Sequence, residues 1–358
     1  MLTRAQVLAH RAAAGGLSGP GSALPTGVQD HPTGVTARLA VALRGDRDDG
    51  VLVHSVRAAT HLHRASDLGL LAAALRVDDG ADLARQAIGP FGAELGAGFG
   101  AAVDEVTAAM RDVMADGAAR TKGELSGAVS PRVDPRLAPW CQGCGVHHVQ
   151  DALFRYATLQ ARLVIEVESP KVFRFRVAGD GPPDADAAAA RAELVRRFLH
   201  AAGPVRPAHL AAWLSLTPVA AKRWWAQVES AEVEVDGRRG SILAADEPAL
   251  ASAPEPDRLR LLGPYDPLTE LADREFLVPD TAARRRVWAA AANPGIVLCD
   301  GEVAGTWRRR TARGRLVLTA TPFGALPSRW TDDDGVRRDA EVIGRSFGAE
   351  EVVVETAD

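Results

Sequence analysis

Apolar residues recur at helical spacing through residues 186–228. A first run with apolar positions three and four apart begins after Asp186, which predicts a helix of about four turns. A second, shorter helix is expected over Ala208–Leu214. Thr217 is a suitable N-cap and Pro218 a suitable first helical residue, so a third helix is expected to begin there.

Residues 231–243 change to a period of two. Apolar and polar residues alternate on both sides of Asp236-Gly237, and an Asp-Gly pair between alternating segments predicts a β-hairpin. Three helices followed by a hairpin, all within residues 186–246, are in the order of a winged helix-turn-helix unit.

The same order of elements is repeated twice further upstream. The second unit is predicted to contain three helices and two strands, at Ala101–Met114, Ala119–Ala128, His148–Leu159, Arg162–Glu168 and Val172–Val177. The third lies at the N-terminus, where Thr3–Ala14 would be its first helix and Ser66–Leu75 its last. The unequal spacing of the copies favours tandem winged helices over a solenoid, whose repeat would be regular.

The C-terminal part has a different pattern. Its predicted elements are a hairpin at 296–307 around Asp300-Gly301, a strand Arg315–Thr321, a helix Arg337–Phe347 and a strand Glu351–Glu355. The proline-rich segment Glu247–Pro256 is the expected linker before it. We therefore predict an α+β protein of three tandem winged helix-turn-helix units and a small β-rich C-terminal domain, with boundaries at 1–90, 91–185, 186–256 and 257–358.

Composition places the chain among globular proteins. The 358 residues are 47% hydrophobic and 25% charged, which argues against disordered and fibrous classes. No apolar run approaches the 18 residues of a membrane span. The residues after Met1 lack the apolar segment that is typical of a secretory signal. Three cysteines do not make a disulfide framework. We expect a cytoplasmic monomer with no membrane partner.

The net charge of −4 is unevenly distributed. Residues 331–358 contain nine acidic residues and three arginines, a net charge of −6, which leaves +2 for residues 1–330. Of the 42 basic residues, 39 are arginine. A genome rich in G and C would explain this bias, and arginine also suits bidentate contact with phosphate.

Two groups of basic residues are candidates for DNA contact. The third helix of the 186–246 unit would present Lys222 and Arg223, and the tip of its wing carries Arg238 and Arg239. The alternative is that this helix contacts another protein.

The second group is the segment 308–315, which has five arginines and no acidic residue at an expected turn between strands. Arg308, Arg309 and Arg310 could lie along a DNA backbone. A solvated turn is the alternative.

A Cys-x-x-Cys segment raises the question of zinc. Cys141, Cys144, His148 and Asp151 could supply four ligands, but all from one short segment, whereas structural zinc sites usually combine two separated pairs. The alternative is that buried thiols and a turn glycine begin the third helix of the second unit. No thioredoxin-like pattern supports a redox role. We therefore predict no metal and no cofactor, and zinc stays an open alternative.

The segment Gly27–Pro32 combines an amide, a carboxylate and an imidazole. Gln29, Asp30 and His31 lie where one amphipathic segment ends and another begins. Such residues either form a turn or carry chemistry. The chain contains no G-x-G-x-x-G, Walker, G-x-S-x-G or H-E-x-x-H motif, so dinucleotide, nucleoside-triphosphate, hydrolase-elbow and zincin functions lack their usual support.

At these residues the chain resembles a known family. It is similar to the winged-helix proteins related to the AlkZ and YcaQ bacterial DNA glycosylases, particularly the actinobacterial ones. The blocks that carry the resemblance span nearly the whole chain: Gly27–Asp30, Val56–Arg64, Trp140–Cys144 with His148, Leu261–Pro267 and Asp300–Arg308.

The resemblance implies three tandem winged helices and a β-rich domain around a basic channel for duplex DNA. Active members carry a Gln-Φ-Gln or Gln-Φ-Asp motif, where Φ is hydrophobic, and release N-alkylated purines. The resemblance makes Gln29 and Asp30 the catalytic candidates, and its Arg-x-x-x-His strand makes Arg57 and His61 candidates for DNA contact. Arg38, close after the Gln29 segment, is a further candidate for DNA contact. The motif is incomplete, because Gly27 stands where the first glutamine would be. If the alignment shifts so that Gln29 is first, His31 takes the second place.

The implied chemistry is physically reasonable. A purine alkylated at N7 already carries a positive charge and leaves readily, so the protein has to stabilise an oxocarbenium-like sugar and place a water molecule. An amide can orient that water and a carboxylate can offset the charge of the sugar. The first hypothesis is a DNA glycosylase that acts on alkylated purines in double-stranded DNA, in base excision repair or resistance to alkylating agents. The alternative is a non-catalytic winged-helix protein, either a transcription regulator or a lesion-binding factor.

Overall fold

The structure is a computed structural model that describes residues 2–19, 21–46, 49–169, 171–179, 185–271, 273–290, 292–312 and 314–357. The chain forms two units, each assembled from separate segments. Unit 1 contains Met1–Asp48, Arg197–Arg206 and Glu229–Asp358. Unit 2 contains Asp49–Arg196 and Pro207–Val228.

Helices and strands are labelled in chain order. The helices are α1 (Arg4–Ala14), α2 (Thr36–Ala42), α3 (Leu68–Ala74), α4 (Arg85–Leu95), α5 (Phe99–Val113), α6 (Lys122–Val129), α7 (Asp151–Gln160), α8 (Ala187–Ala202), α9 (Pro207–Leu214), α10 (Pro218–Trp225), α11 (Glu247–Ala251), α12 (Pro267–Leu271), α13 (Arg274–Leu277), α14 (Thr281–Val287) and α15 (Asp334–Ser346). The strands are β1 (Val28–Gln29), β2 (Gly50–His54), β3 (Thr60–Arg64), β4 (Arg120–Thr121), β5 (Trp140–Cys141), β6 (Val146–His147), β7 (Leu163–Ser169), β8 (Val172–Val177), β9 (Ser230–Val235), β10 (Arg238–Leu243), β11 (Leu259–Leu262), β12 (Gly295–Cys299), β13 (Glu302–Ala312), β14 (Arg315–Pro322) and β15 (Val352–Thr356).

Unit 2 is built around an antiparallel sheet with the strand order β3-β2-β7-β8-β4. Leu52 in β2 pairs with Leu62 of β3 on one side and with Ile165 of β7 on the other. Helix α7 packs on α5 and on β2, and the Phe154 ring of α7 meets Phe175 of β8 edge-on at 5.3 Å. The short strands β5 and β6 form a separate hairpin.

Unit 1 contains a sheet with the order β11-β12-β13-β14-β15, in which only β14 and β15 run parallel. Its two faces support separate cores. Leu261 and Trp307 belong to one core with Ile343 of α15, whereas Leu262 and Ile296 belong to the other with residues of α1 and α14. Side chains alternate between faces along a strand, so neighbouring positions enter different cores.

The predicted elements of the 186–246 segment are confirmed. Helices α8, α9 and α10 are followed by the β9–β10 hairpin, and the Thr217 side chain accepts a hydrogen bond from the Ala220 N–H at the start of α10. At the hairpin tip, Asp236 and Gly237 have φ of 48° and 76°, the left-handed conformation of a type I′ turn. Helix α8 contributes residues to both units. The division into three winged-helix units stays a prediction.

The mixed α+β class and the C-terminal elements are also confirmed, including the β12–β13 hairpin around Asp300-Gly301. The expected linker Glu247–Pro256 differs, because its first half is helix α11. Leu250 of α11 is fully buried in a core of unit 1, so burial orders this proline-rich segment. Within the described ranges, no helix is both long and apolar enough to cross a membrane.

Candidate functional site

Asp30 anchors the loop between β1 and α2. The residue is 3% exposed. Its Oδ1 accepts hydrogen bonds from the backbone N–H groups of Val35 at 3.1 Å and Ala37 at 3.0 Å, and its Oδ2 accepts one from Gly34. A carboxylate at a helix N-terminus satisfies unpaired N–H groups and interacts favourably with the helix dipole. Both oxygens of Asp30 are therefore engaged in holding the start of α2.

The Thr36 hydroxyl fixes the backbone on either side of Asp30. It donates to the Gln29 carbonyl oxygen at 3.3 Å and accepts from the His31 N–H at 2.8 Å. Gln29 is half-buried and His31 is exposed. The His31 ring lies edge-on to Tyr265, with 5.3 Å between ring centroids. The loop thus turns the Asp30 carboxylate inward and the His31 imidazole outward.

A cavity of about 390 Å³ lies beside this loop in unit 1. Its lining combines apolar and aromatic walls with a few polar groups, among them His31, Tyr265, Asn293, Trp307, Arg308 and Arg309. Sites for small organic molecules are typically clefts of roughly 300–1,000 Å³ with this kind of lining. The cavity wall begins two residues after Gln29.

A buried ion pair fixes two walls of this cavity. Arg44, just after α2, donates to both carboxylate oxygens of Asp266 at 2.8 and 2.9 Å, and the two side chains are 1% and 0% exposed. Asp266 Oδ1 also accepts from the Leu268 N–H at 3.0 Å. Because Asp266 follows Tyr265, the bidentate pair holds the Tyr265 turn against α2.

Trp307 in β13 forms another wall. Its Nε1–H donates to the Leu262 carbonyl oxygen at 2.9 Å in the interior. Gly295 of β12 pairs with Trp307, and a Cβ atom there would lie 2.2 Å from the indole ring. Only glycine allows this close approach, so the sequence at 295 determines how the indole lies.

The arginines of β13 continue from the cavity to the surface. Arg308, Arg309 and Arg310 are all exposed. Arg308 donates to the Ala292 carbonyl oxygen at 3.0 Å, and the Arg309 guanidinium lies 3.8 Å from the centroid of the Phe347 ring. These contacts partly order both side chains and leave them accessible to a ligand.

The rest of the arginine run carries its own ion pairs. Arg310 lies 3.2 Å from Glu355, and Arg315 lies 2.8 Å from Glu351. Arg313 lies outside the described residues. Surface pairs of this kind contribute little to stability, so a phosphate can replace the carboxylate at small cost.

The other predicted basic residues occupy exposed positions. Lys222 and Arg223 are on α10, where Arg223 pairs with Asp82. Arg238 and Arg239 are at the start of β10, and Arg239 lies 3.7 and 3.8 Å from two glutamates of β9. All four side chains are accessible, which is compatible with the predicted DNA contacts.

The three remaining candidates for DNA contact differ in exposure. Arg38 is exposed on α2. Arg57 is half-buried and donates to the Trp213 carbonyl oxygen at 2.9 Å. His61 is 3% exposed, and burial, followed by the Arg57 charge, holds its pKa well below the ordinary value. A buried imidazole is not accessible to a phosphate, so His61 is left out of the proposed DNA contacts.

The burial of the Cys-x-x-Cys segment also differs from the prediction. Cys144 is exposed and Cys141 half-buried, so the buried-thiol interpretation is wrong. The two sulfur atoms and a ring nitrogen of His148 lie within 4.8 Å of one another. Asp151, the fourth residue considered for zinc, instead accepts from Lys122 and from Arg155, the latter at 2.7 Å.

Tyr265 and Phe347 border the cavity but were not predicted as site residues. Tyr265 lies within Leu261–Pro267, one of the blocks that carry the family resemblance, in a Gly-Pro-Tyr-Asp-Pro segment of turn-forming residues. Phe347 follows α15, far from Tyr265 along the chain. Only the fold brings them to the same cavity.

Comparisons with known proteins place the chain in a family. The sequence profile described as DNA glycosylase AlkZ-like matches residues 33–346. The chain belongs to the AlkZ-like DNA glycosylase family. This membership supports a DNA glycosylase function with DNA as the substrate. Gln29, Asp30 and His31 lie just before the matched range, whereas Tyr265 and Trp307 lie inside it.

The fold of this chain is also found in a solved structure. Streptomyces sahachiroi DNA glycosylase AlkZ superposes with a TM-score of 0.73 over 99% of each chain, at 22% sequence identity. The α+β architecture is therefore that of a known glycosylase structure. No curated protein matches the chain in sequence.

Proposed function

We propose that this family member hydrolyses the N-glycosidic bond of alkylated purines in double-stranded DNA, as a cytoplasmic monomer without a cofactor. The observation that carries the proposal is the cavity of about 390 Å³ between the Asp30 loop and the arginine-bearing strand β13. It combines an aromatic lining with neighbouring cationic side chains. The family membership supports the same class of reaction.

Gln29 is the proposed catalytic residue. An amide can donate to and accept from a water molecule and so hold it in line for attack on the anomeric carbon. The cationic N7-alkylpurine needs little help to leave, so water placement and stabilisation of the sugar carry the catalysis. Gln29 lies on a backbone pinned by Thr36, which limits its freedom.

Asp30 is better described as a positioning residue than as a group that touches the sugar. Its two oxygens already accept three backbone N–H groups and its exposure is 3%. We propose that it sets the conformation of Gln29 and His31. His31 then occupies the second motif position and faces the cavity with Tyr265.

The cavity is the proposed site for the extruded base. Enzymes that act on a base in a duplex turn it out of the stack and hold it against aromatic surfaces. Tyr265 and His31 supply ring surfaces, while Asn293 supplies hydrogen-bonding groups. Arg308 and Arg309, exposed at the edge of the cavity, would hold the DNA phosphates that flank the extruded base.

Docking on the duplex is assigned to the exposed arginines. Arg308, Arg309 and Arg310, with Arg38 on α2, are the proposed phosphate contacts of unit 1. The order of helices and hairpins supports three winged-helix units at 1–90, 91–185 and 186–256 before a β-rich domain at 257–358. The further proposed phosphate contacts are Arg238 and Arg239 of unit 1 and Arg57, Lys222 and Arg223 of unit 2.

Base release from defined duplexes tests this function. Wild-type protein is incubated with duplexes that contain 7-methylguanine, a bulky N7 adduct or no lesion, and free base is measured by mass spectrometry. Release from one or both alkylated duplexes, and none from the unmodified duplex, is expected. Lesion-dependent binding without release would instead support a non-catalytic lesion-binding protein, which the fully engaged Asp30 carboxylate and the incomplete motif would explain. Neither release nor a binding preference for lesions would contradict both.

A further inference from the structure

The β5–β6 hairpin in unit 2 brings chemically unusual side chains together outside the site described above. Trp140 pairs with His147 and Cys141 pairs with Val146. The Trp140 side chain packs edge-on against His147 with 5.4 Å between centroids, although Trp140 is 59% exposed. The turn between the strands holds Cys144.

The turn is closed by hydrogen bonds to the first cysteine. The N–H groups of Cys144 and Gly145 donate to the Cys141 carbonyl oxygen at 3.2 and 2.8 Å, and Gly145 has φ of 66°. The thiolate is the form of cysteine that binds metals.

His148 is oriented toward the same point. Its Nδ1 lies 2.9 Å from the Val149 carbonyl oxygen, so Nδ1–H donates there and Nε2 is the nitrogen that the neutral ring can offer to a metal. A ring nitrogen bonded to a backbone carbonyl is the usual way in which a ligand histidine is held. The two sulfurs and a ring nitrogen of His148 lie within 4.8 Å of one another.

We propose that Cys141, Cys144 and His148 form a zinc site with the fourth position open to solvent. Two sulfur ligands and one imidazole select zinc among the abundant divalent ions, and three protein ligands leave room for a water molecule. On binding, each thiol releases its proton to solvent and the thiolate forms a bond to the metal.

The charges around the group fit an open site. Asp151 follows His148 by three residues, but its carboxylate accepts hydrogen bonds from Lys122 and Arg155. The exposed Cys144 faces solvent, so water can reach the fourth position. The metal would join the hairpin turn to the segment just before α7, and so would fix Trp140 in its exposed position.

Metal analysis of tag-free, reduced protein tests the site. After equilibration with zinc and gel filtration, we expect one zinc per chain by mass spectrometry. Cobalt substitution is expected to give thiolate-to-cobalt charge-transfer bands. Cys141→Ser, Cys144→Ser and His148→Asn are each expected to weaken zinc binding by more than about 100-fold, beyond the loss typical of an outer-shell partner. Circular dichroism checks that each variant is folded.

Cys299→Ser is the matched control, because Cys299 is a free cysteine of unit 1 outside the group. It is expected to retain the zinc and the cobalt bands. Binding of less than 0.2 zinc per wild-type chain, as a rough threshold, would overturn the proposal. So would a reversible Cys141–Cys144 disulfide in a protein that, when reduced, takes up no zinc. Equal zinc binding by the three ligand variants and the wild type would also overturn it.

Discussion

Asp30 accepts hydrogen bonds from the N–H groups of Gly34, Val35 and Ala37 in a nearly water-free environment. A group with this many donors around it stabilises the local fold, because removing one acceptor leaves a buried N–H unsatisfied. At the scale of single residues, Asp30 therefore holds the loop, His31 faces the cavity, and Gln29 is the residue proposed to act on the substrate.

Asp30→Asn separates these two roles. The amide nitrogen would face a backbone N–H, so the free energy of unfolding is expected to fall by about 1–3 kcal/mol. Urea unfolding measures this as a lower midpoint with an unchanged slope. Asp112→Asn, at an exposed position of α5, is the control and should leave the midpoint unchanged. Loss of base release with no loss of stability would show instead that Asp30 acts directly on the sugar.

Tyr265→Ala tests the cavity. Stacking of a base on an aromatic ring is worth about 1–3 kcal/mol, so base release is expected to slow by roughly 5- to 150-fold. Tyr265→Phe keeps the ring and should retain most of the activity. Single-turnover release from a 7-methylguanine duplex measures the effect, alongside affinity for an unmodified duplex, which should not change. Equal rates for wild type and Tyr265→Ala would show that the cavity does not hold the extruded base.

The sequence could indicate Gln29, Asp30 and His31, because polar residues at a junction of two amphipathic segments stand out. It could not indicate which of them is buried. It also could not indicate that His61, a predicted DNA contact, is buried: β3 is covered on both faces, so the neighbouring positions His61 and Leu62 are both inaccessible. Burial on both faces depends on elements that are distant in sequence.

At the scale of elements, strands β2 and β3 carry buried histidines that make unit 2 sensitive to acid. Burial, then the charges of Arg155 and Lys122, lowers the pKa of His54 to about 3. Below an unfolded pKa near 6.5 the unfolded chain binds a proton that the folded chain does not, so stability falls as pH falls. The loss approaches about 1.4 kcal/mol per pH unit for this residue, and His61 contributes with the same sign.

His54→Gln is expected to reduce this acid sensitivity. Urea unfolding of wild type and variant at pH 7, 6 and 5 gives two dependences of stability on pH. The variant should lose less stability between pH 6 and pH 5, by up to about 1.4 kcal/mol. Parallel dependences in the two proteins would mean that His54 is protonated in the folded state and that the assigned burial effect is incorrect.

Strand β13 provides the proposed backbone contact with DNA. Arg308 and Arg310 are two positions apart, so they project from the same face of the strand. Replacing both with glutamine should weaken duplex binding and reduce the slope of log affinity against log salt by about one for each arginine. Arg329→Gln, at an 85% exposed side chain in the same unit, should change neither quantity. An unchanged slope in the double variant would exclude this strand from the interface.

The local sequence pattern was sufficient to predict the elements that have strong turn or capping residues. The Asp-Gly pairs at 236–237 and 300–301 lie at hairpin tips with positive φ at both residues. The short strands β1, β4 and β5 have two residues each and too little periodicity to be recognised. Helix α11 was missed because its proline suggested a linker, whereas proline at the start of a helix is compatible with it.

At the scale of the whole molecule, each unit is assembled from segments far apart in the chain. In unit 1, residue Leu2 bridges to Val235 and Val205 bridges to Ser241. The sequence could predict an α+β chain with several small domains, but such pairings leave no local signal. The net charge of −4 is equally uninformative, because docking depends on local fields such as that of the β13 arginines.

Gln29 is the central residue of the proposed glycosylase reaction. Single-turnover release of 7-methylguanine from a duplex, by wild type, Gln29→Ala and the control Gln86→Ala, tests it most directly, since Gln86 is an exposed glutamine of α4. We predict release by wild type and Gln86→Ala, and a rate lower by about 100-fold or more for a folded Gln29→Ala protein that still binds the duplex. Release by Gln29→Ala at the wild-type rate would contradict the account.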